Sequence, residues 1–525
     1  MPDHDVVIIG AGYAGMYQLH RLRQAGFDAH VIEAGEDVGG TWYWNRYPGA
    51  RCDIESIEYS YSFDEDLQQE WVWSERYAAQ PELLSYARHV ADRFDLRKDI
   101  SFGLRVQRLS WQESERHWVV TTDDGAIRTA RHVIAATGCL SVPSRPSFAG
   151  MGDFGGELLW TSSWPEGVDL SGKRVAVIGT GSSGLQTITA IAPQVGSLTV
   201  FQRTACYAVP AHNGPIADTL PGIKARYPEL RAASRETVGG YQCAAETVPL
   251  VEVGQAELVP LLDKRWDLGG LCFSDSVSDV LTDAEVNARV SEYVRTRIRA
   301  KVNDQDVAAK LLPTFPISTK RLCVDTGYYE VYNQDNVTLV DINEAPIHGF
   351  TERGVLAGET EHELDVVVMA TGFDAMTGAL SAIEIDNGTT TLADKWEHGP
   401  RTYLGLMSAG FPNLFTITGP QSPSVLSNVI TSIEQHVGWI AGALEHLRDR
   451  GLTRMEAMVE NEDNWVTATN DLAAMTLFPQ AASWYMGANI PGKERVFMPF
   501  VGGVGLYKHI TDGVAVAGYH GFELG

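Results

Sequence analysis

A four-residue apolar run, Val6-Val7-Ile8-Ile9, is followed at once by Gly10-Ala11-Gly12-Tyr13-Ala14-Gly15. A short unbroken run of this kind predicts a strand buried on both faces. Apolar positions then recur at helical spacing through Met16, Leu19 and Leu22 until Gly26, and Ala29-His30-Val31-Ile32 predicts the next strand. The same order returns at Arg174-Val175-Ala176-Val177-Ile178, Gly179-Thr180-Gly181-Ser182-Ser183-Gly184 and Leu198-Thr199-Val200-Phe201-Gln202. Between the two units, Gly103 to Thr129 reads as short alternating strands with a hairpin turn at Asp123-Asp124-Gly125. Strands that end in Thr137-Gly138 and in Thr371-Gly372 predict two crossings between one pair of domains. Residues from about Ala211 to Phe315 lose the strand pattern, and Asp283 to Lys310 has helical spacing. Strands return at Val337–Val340, Leu364–Ala370 and Asn413–Gly419. A helix is expected from Ser427 to Arg450, stopped by Gly451.

The expected fold class is therefore α/β, with two Rossmann-like dinucleotide-binding domains and a helical insertion in the second. Residues 1–140 and 375–525 are expected to form the first, FAD-binding domain. Residues 141–210 and 320–374 form the second, for NADPH, and 211–319 the insertion. The bulk properties narrow the partners. At 525 residues the chain exceeds one core. Its net charge of −26 repels phosphate backbones and anionic lipid, so neither nucleic acid nor a membrane is an expected partner. No apolar run approaches the roughly 20 residues of a membrane helix. The N-terminus leads straight into a strand, so no signal peptide is expected. The six cysteines (Cys52, Cys139, Cys206, Cys243, Cys272, Cys323) are scattered without Cys-x-x-Cys, which predicts reduced thiols in a cytoplasm. The pattern also excludes a disulfide reductase, and neither an iron–sulfur cluster nor a metal site is expected.

In each Gly-x-Gly-x-x-Gly the middle glycine, Gly12 or Gly181, lets a pyrophosphate approach the backbone; Gly10, Gly15, Gly179 and Gly184 shape the turn and its helix. Glu33 ends the first unit's second strand, where a carboxylate holds ribose hydroxyls and repels a 2′-phosphate, so this site takes FAD or NAD. The second unit has Arg203 and Thr204 there, a guanidinium and a hydroxyl that suit the 2′-phosphate of NADPH. Hydride would pass from nicotinamide to flavin, and oxygen is the acceptor that needs no further cofactor. A C4a-peroxyflavin would then need a fixed cation nearby, and Lys320-Arg321 is the candidate. The segment Gly39-Gly40-Thr41-Trp42-Tyr43-Trp44-Asn45-Arg46-Tyr47-Pro48-Gly49-Ala50-Arg51-Cys52-Asp53, dense in glycine and aromatics, is expected to line the place where the two sites meet.

These residues resemble the type I Baeyer–Villiger monooxygenases, close to the phenylacetone and cyclohexanone monooxygenase group. Gly39-Gly40-Thr41-Trp42 … Tyr47-Pro48-Gly49 … Asp53 matches that family's loop signature, and Phe201-Gln202-Arg203-Thr204, Thr319-Lys320-Arg321, Ala370-Thr371-Gly372-Phe373-Asp374 and Ser483-Trp484-Tyr485 match as well. The resemblance implies that NADPH and O2 convert a ketone into an ester or lactone, in a monomer or weak oligomer. It implies that Arg321 is catalytic with Asp53 beside it. Thr41, Trp42, Asp53, Tyr59 and Val106 would line the flavin, and Ser182, Ser183, Arg203, Thr204 and Lys320 the NADPH. Trp484 would cover the nicotinamide, and Ser424-Val425-Leu426 would face the ketone. One position departs from the family's other signature: Trp160 stands where histidine is expected, after Phe154 and Gly156 and before Trp164-Pro165. That keeps two alternatives open, oxygenation of sulfides or amines and an uncoupled NADPH oxidase.

Overall fold

The computed structural model describes residues 2–243, 249 and 255–525, so the rest of 244–254 in the expected insertion lies outside the described residues. Strands β1 (His4–Ile9), β2 (Ala29–Ile32), β3 (Ile100–Ser101), β4 (Val106–Gln112), β5 (His117–Thr122) and β6 (Ile127–Ala135) build most of a first sheet. β7 (Glu157–Trp160), β8 (Arg174–Ile178) and β9 (Ser197–Gln202) begin a second, and β10 (Ala208–Pro210) pairs only with β11 (Cys323–Asp325). β12 (Val337–Asp341) joins the second sheet, and β13 (Ile347–Thr351), β14 (Gly354–Ala357) and β15 (Thr360–Glu363) form a meander of their own. β16 (Val366–Met369) enters the second sheet, whereas β17 (Glu384–Asp386) and β18 (Leu414–Thr416) return to the first.

The first sheet runs β17-β4-β5-β6-β1-β2-β3, with β18 also on β6. β5 is antiparallel to both its neighbours and the other pairings are parallel. The second sheet, β12-β9-β8-β16-β7, is parallel throughout. Residue pattern explains the contrast. Val6–Ile8 and Val175–Val177 are wholly buried, because helices cover both faces of a parallel sheet. β5 instead buries alternate residues, Trp118, Val120 and Thr122, as a strand covered on one face does. The connections between the sheets run side by side: Ser144 N donates to Gly372 O at 2.8 Å and Asp374 N to Val142 O at 2.8 Å.

Three expectations are corrected. The strand expected over Asn413–Gly419 is only β18, because Asn413 (φ 59°) and Thr418 (φ 54°) turn left-handed and end the ladder. The helix expected over Asp283–Lys310 is two, Ala284–Lys301 and Gln305–Lys310. Asp304 breaks it by accepting from the N–H groups of Asp306 and Val307 to cap the second. The cysteines are not all reduced thiols, since Cys243 and Cys272 form a disulfide while Cys52, Cys139, Cys206 and Cys323 are free. No described helix is long and apolar enough to cross a membrane.

Candidate active site

The loop Gly39–Asp53 is fastened at both ends. At its start Gly39 N donates to Ala11 O at 3.1 Å, which pins it to the first glycine turn. One helical turn follows, Thr41–Trp44, and buried Trp42 donates its Nε1–H to the Tyr59 hydroxyl at 3.2 Å. At its far end the Tyr47 hydroxyl donates to Gln186 Oε1 at 2.8 Å, and Gln186 Nε2 donates to Arg51 O at 3.0 Å. Gln186 lies on the helix Ser182–Ile191 that follows the second glycine turn. One loop thus spans both nucleotide units, and Asp53 leaves it at their seam. Gln186 escaped the sequence reading, because its only signal is one amide on a helix packed for its apolar residues.

Asp53 meets Arg321 across 268 residues of chain, with Nε–Oδ2 at 2.7 Å and Nη2–Oδ1 at 2.9 Å. Two parallel bonds fix the plane of the guanidinium. Burial alone would pull the Arg321 pKa down, but the Asp53 charge and its hydrogen bonds outweigh it and the value stays raised. Nη1 of Arg321 donates to Val425 O at 2.9 Å, so the same side chain holds the expected ketone-side segment. Val425 and Tyr485 pack in one apolar cluster with Ala375 and Met376, and Leu426, Trp484 and Cys139 lie against it. Burial pushes the Tyr485 phenol up while Arg321 opposes the shift, which puts this tyrosine beside the guanidinium; the sequence carried it only within the Ser483-Trp484-Tyr485 match, without a role at the site. Ser424 is spent within the loop, because its hydroxyl donates to Thr418 O at 3.2 Å.

Each glycine turn packs closely on its own helix, and the second leaves room where phosphates would lie. A methyl group at Gly15 would sit 1.8 Å from Gly10 O, and one at Gly184 would sit 2.1 Å from Gly179 O, so helix and turn touch there. A methyl group at Gly181 would meet nothing within 4 Å. Glu33 is buried at the end of β2 and accepts from Ala11 N at 2.5 Å and Gly35 N at 2.7 Å. Burial pushes its carboxyl up, against those two N–H groups. Buried Val106 begins β4, and Leu104 N donates to Glu33 O at 2.9 Å, which brings this edge to the same pocket. In the second unit Arg203 and Thr204 are exposed past β9, and Ser182 and Ser183 begin the helix that the turn feeds. Burial lowers the Lys320 ammonium and Arg203 lowers it further. Neither cation forms an ion pair among the described residues. Two cations that repel each other suit a doubly charged phosphate, and Glu33 with its free lone pairs suits ribose hydroxyls. The residues present fit both dinucleotides. Trp160 ends β7 opposite Met369, with the Arg145 guanidinium 4.7 Å from its ring.

A family profile described as pyridine nucleotide-disulphide oxidoreductase matches residues 7–236. The acetone monooxygenase (methyl acetate-forming) of Gordonia sp. (strain TY-5) is 42% identical over 99% of this chain and 99% of its own. A Baeyer–Villiger monooxygenase of Pseudooceanicola batsensis is 41% identical, over 98% of this chain and 95% of its own. Among solved structures, an oxidized steroid monooxygenase bound to NADP superposes with a TM-score of 0.95 at 48% identity, covering 99% of both chains.

Proposed function

The chain belongs to the Baeyer–Villiger monooxygenases, NADPH-dependent flavoproteins, and from that premise we propose that it inserts one atom of O2 beside the carbonyl of a small ketone, giving an ester or lactone. Ketone, O2, NADPH and a proton become ester, NADP+ and water. FAD, when bound, would supply the hydride-accepting and oxygen-carrying chemistry. The protein's share is binding, charge and dryness. Glu33 accepts from the flavin nucleotide's ribose, and buried Trp42, Tyr59 and Val106 line the flavin. Arg203, Thr204 and Lys320 grip the 2′-phosphate. Arg321 keeps its charge against Asp53, and its remaining N–H bonds face negative charge as it develops on oxygen. Trp484, Val425 and Leu426 form an apolar wall that excludes water.

The Asp53–Arg321 pair at the seam between the two units carries this reading. Arg321→Ala tests it, assayed by product mass on a panel of ketones with one sulfide included and with peroxide measured alongside. Ester formation is expected to fall by about 10²–10³-fold, the usual cost of removing a fixed donor from developing negative charge. Ester at the wild-type rate would sink the role of Arg321, and sulfoxide as the main wild-type product would sink the ketone reading.

A further inference from the structure

The segment Thr418–Asn428 is bent in a way its residues do not favour. Thr418, Gln421 and Ser424 have φ of 54°, 67° and 37°, in the region that favours glycine, and all three are buried. Each such residue costs on the order of 1–2 kcal/mol, so other bonds must hold the bend. Those of Gln421 are the most extensive. Its Oε1 accepts from Thr402 N at 2.9 Å and from the Thr402 hydroxyl at 2.8 Å, and its Nε2 donates to Pro400 O at 3.1 Å. Its backbone N donates to Met498 O at 2.6 Å, and its backbone O accepts from Trp465 Nε1 at 3.2 Å.

One of these bonds leads toward the site, and so does the chain itself. Met498 N donates to Tyr485 O at 2.9 Å, so Gln421 is joined to the Trp484–Tyr485 turn. Four residues beyond Gln421, Val425 O receives the Arg321 Nη1 bond. The backbone at Gln421 is therefore tied both to the expected nicotinamide cover and, four residues on, to the carbonyl that Arg321 grips, while its side-chain amide anchors that backbone to Pro400 and Thr402. Resting on the ketone reading above, we propose that Gln421 is a positioning and specificity-determining residue. By clamping the bend it sets where Val425 and Leu426 stand relative to the Asp53–Arg321 pair, and so how a ketone lies against the flavin.

The test uses the FAD-loaded full chain with two probes, cyclohexanone and racemic 2-phenylcyclohexanone. Gln421→Gly keeps the left-handed backbone without strain but drops the amide. Thr402→Val is a milder break that removes one bond to the same Oε1. In Gln421→Gly the KM for cyclohexanone is expected to rise about tenfold, the worth of one or two buried hydrogen bonds, with the KM for NADPH within about twofold. The enantiomer ratio of the 2-phenylcyclohexanone product shifts with it, and Thr402→Val shifts the same quantities less. A merely structural glutamine would change thermal stability and move both KM values together, and that result overturns the proposal. So do unchanged ketone KM and unchanged enantiomer ratio. If Gln421→Gly does not fold, Thr402→Val decides on the same readouts. Wild-type protein that converts neither probe would sink the ketone reading and this proposal together, whereas normal wild-type conversion with unaltered variants sinks this proposal alone.

Discussion

The two nucleotide units begin alike and end differently. Both have a buried parallel strand, a glycine turn whose carbonyl touches its own helix, and a second strand just past which stands the residue proposed to meet the ribose. In the first unit that residue is Glu33, buried, with its carboxylate already holding the N–H groups of Ala11 and Gly35. In the second it is Arg203, exposed, and only its backbone is engaged, accepting from Asn343 Nδ2 at 2.7 Å. On the proposed roles, the acid shapes its own pocket as well as choosing a ligand, whereas the arginine only chooses. A change of nucleotide is then expected to disturb the fold of the first unit and not that of the second.

Charge reversal at the two equivalent points tests this most severely. Glu33→Arg leaves two buried N–H groups without an acceptor and buries a cation beside them, a loss of about 3–5 kcal/mol. The expected protein is colourless and melts well below the wild type; a yellow protein of normal stability would show that Glu33 is not structural. Arg203→Glu should leave melting and flavin content unchanged. It removes a charge-assisted bond and adds repulsion, so the KM for NADPH should rise about 10²-fold while that for NADH hardly moves. An equal rise for both nucleotides would mean that Arg203 does not read the 2′-phosphate.

A finer contrast lies in the middle glycines, whose φ values of −72° at Gly12 and −73° at Gly181 any residue adopts. A methyl group at Gly12 would stand 3.4 Å from Gly40 Cα, already in contact with the loop, whereas one at Gly181 would enter open space. Gly181→Ala is expected to fold normally and to raise the KM for NADPH by about tenfold through lost approach of the pyrophosphate. Unchanged affinity would place the pyrophosphate elsewhere.

How much of this was legible in the sequence follows from the same contrast. Unbroken apolar runs marked β1, β8 and β16, and the residues after the second strands, Glu33 and Arg203, stood at fixed offsets from the glycines. The Asp53–Arg321 pair is different, since nothing local links residues 268 positions apart, and only the family resemblance joined them. Gln186 and Gln421 were not legible, and Tyr485 stood only inside the Ser483-Trp484-Tyr485 match with no role of its own. The partner of each is set by tertiary packing, not by spacing. The same holds for Cys243 and Cys272, 29 residues apart with no motif, which pair only because the insertion folds one onto the other. Asn413 and Thr418 shortened β18 through backbone twist, which residue type alone does not announce.

Acid should separate the two units by the smallest margin. His132 on β6 and His436, whose Nδ1 accepts from Thr418 N at 2.9 Å, are both pushed down to about 3, by burial foremost. The five strands of the second sheet carry no histidine. A folded-state imidazole pKa below the unfolded value of about 6.5 means that the unfolded chain takes up the proton first. Stability is then whole above pH 6.5 and falls as pH drops toward 3, by up to about 1.4 kcal/mol per pH unit for each histidine. Glu33 works in the opposite sense, because its raised carboxyl pKa makes the folded state the better proton acceptor just above the unfolded carboxyl range. The two imidazoles, held down to about 3, are expected to set the sign between pH 7 and 5.5. Flavin release, read as free FAD fluorescence under mild urea, is expected to come earlier at pH 5.5 than at pH 7, with NADP+ binding by the remaining holoenzyme unaltered. His132→Leu, which fills the site without a titrating group, should flatten that dependence in part, since His436, His20 and His30 are lowered by burial as well. If flavin release is independent of pH, or is equally steep in His132→Leu, the buried imidazoles do not set the acid limit of the flavin unit.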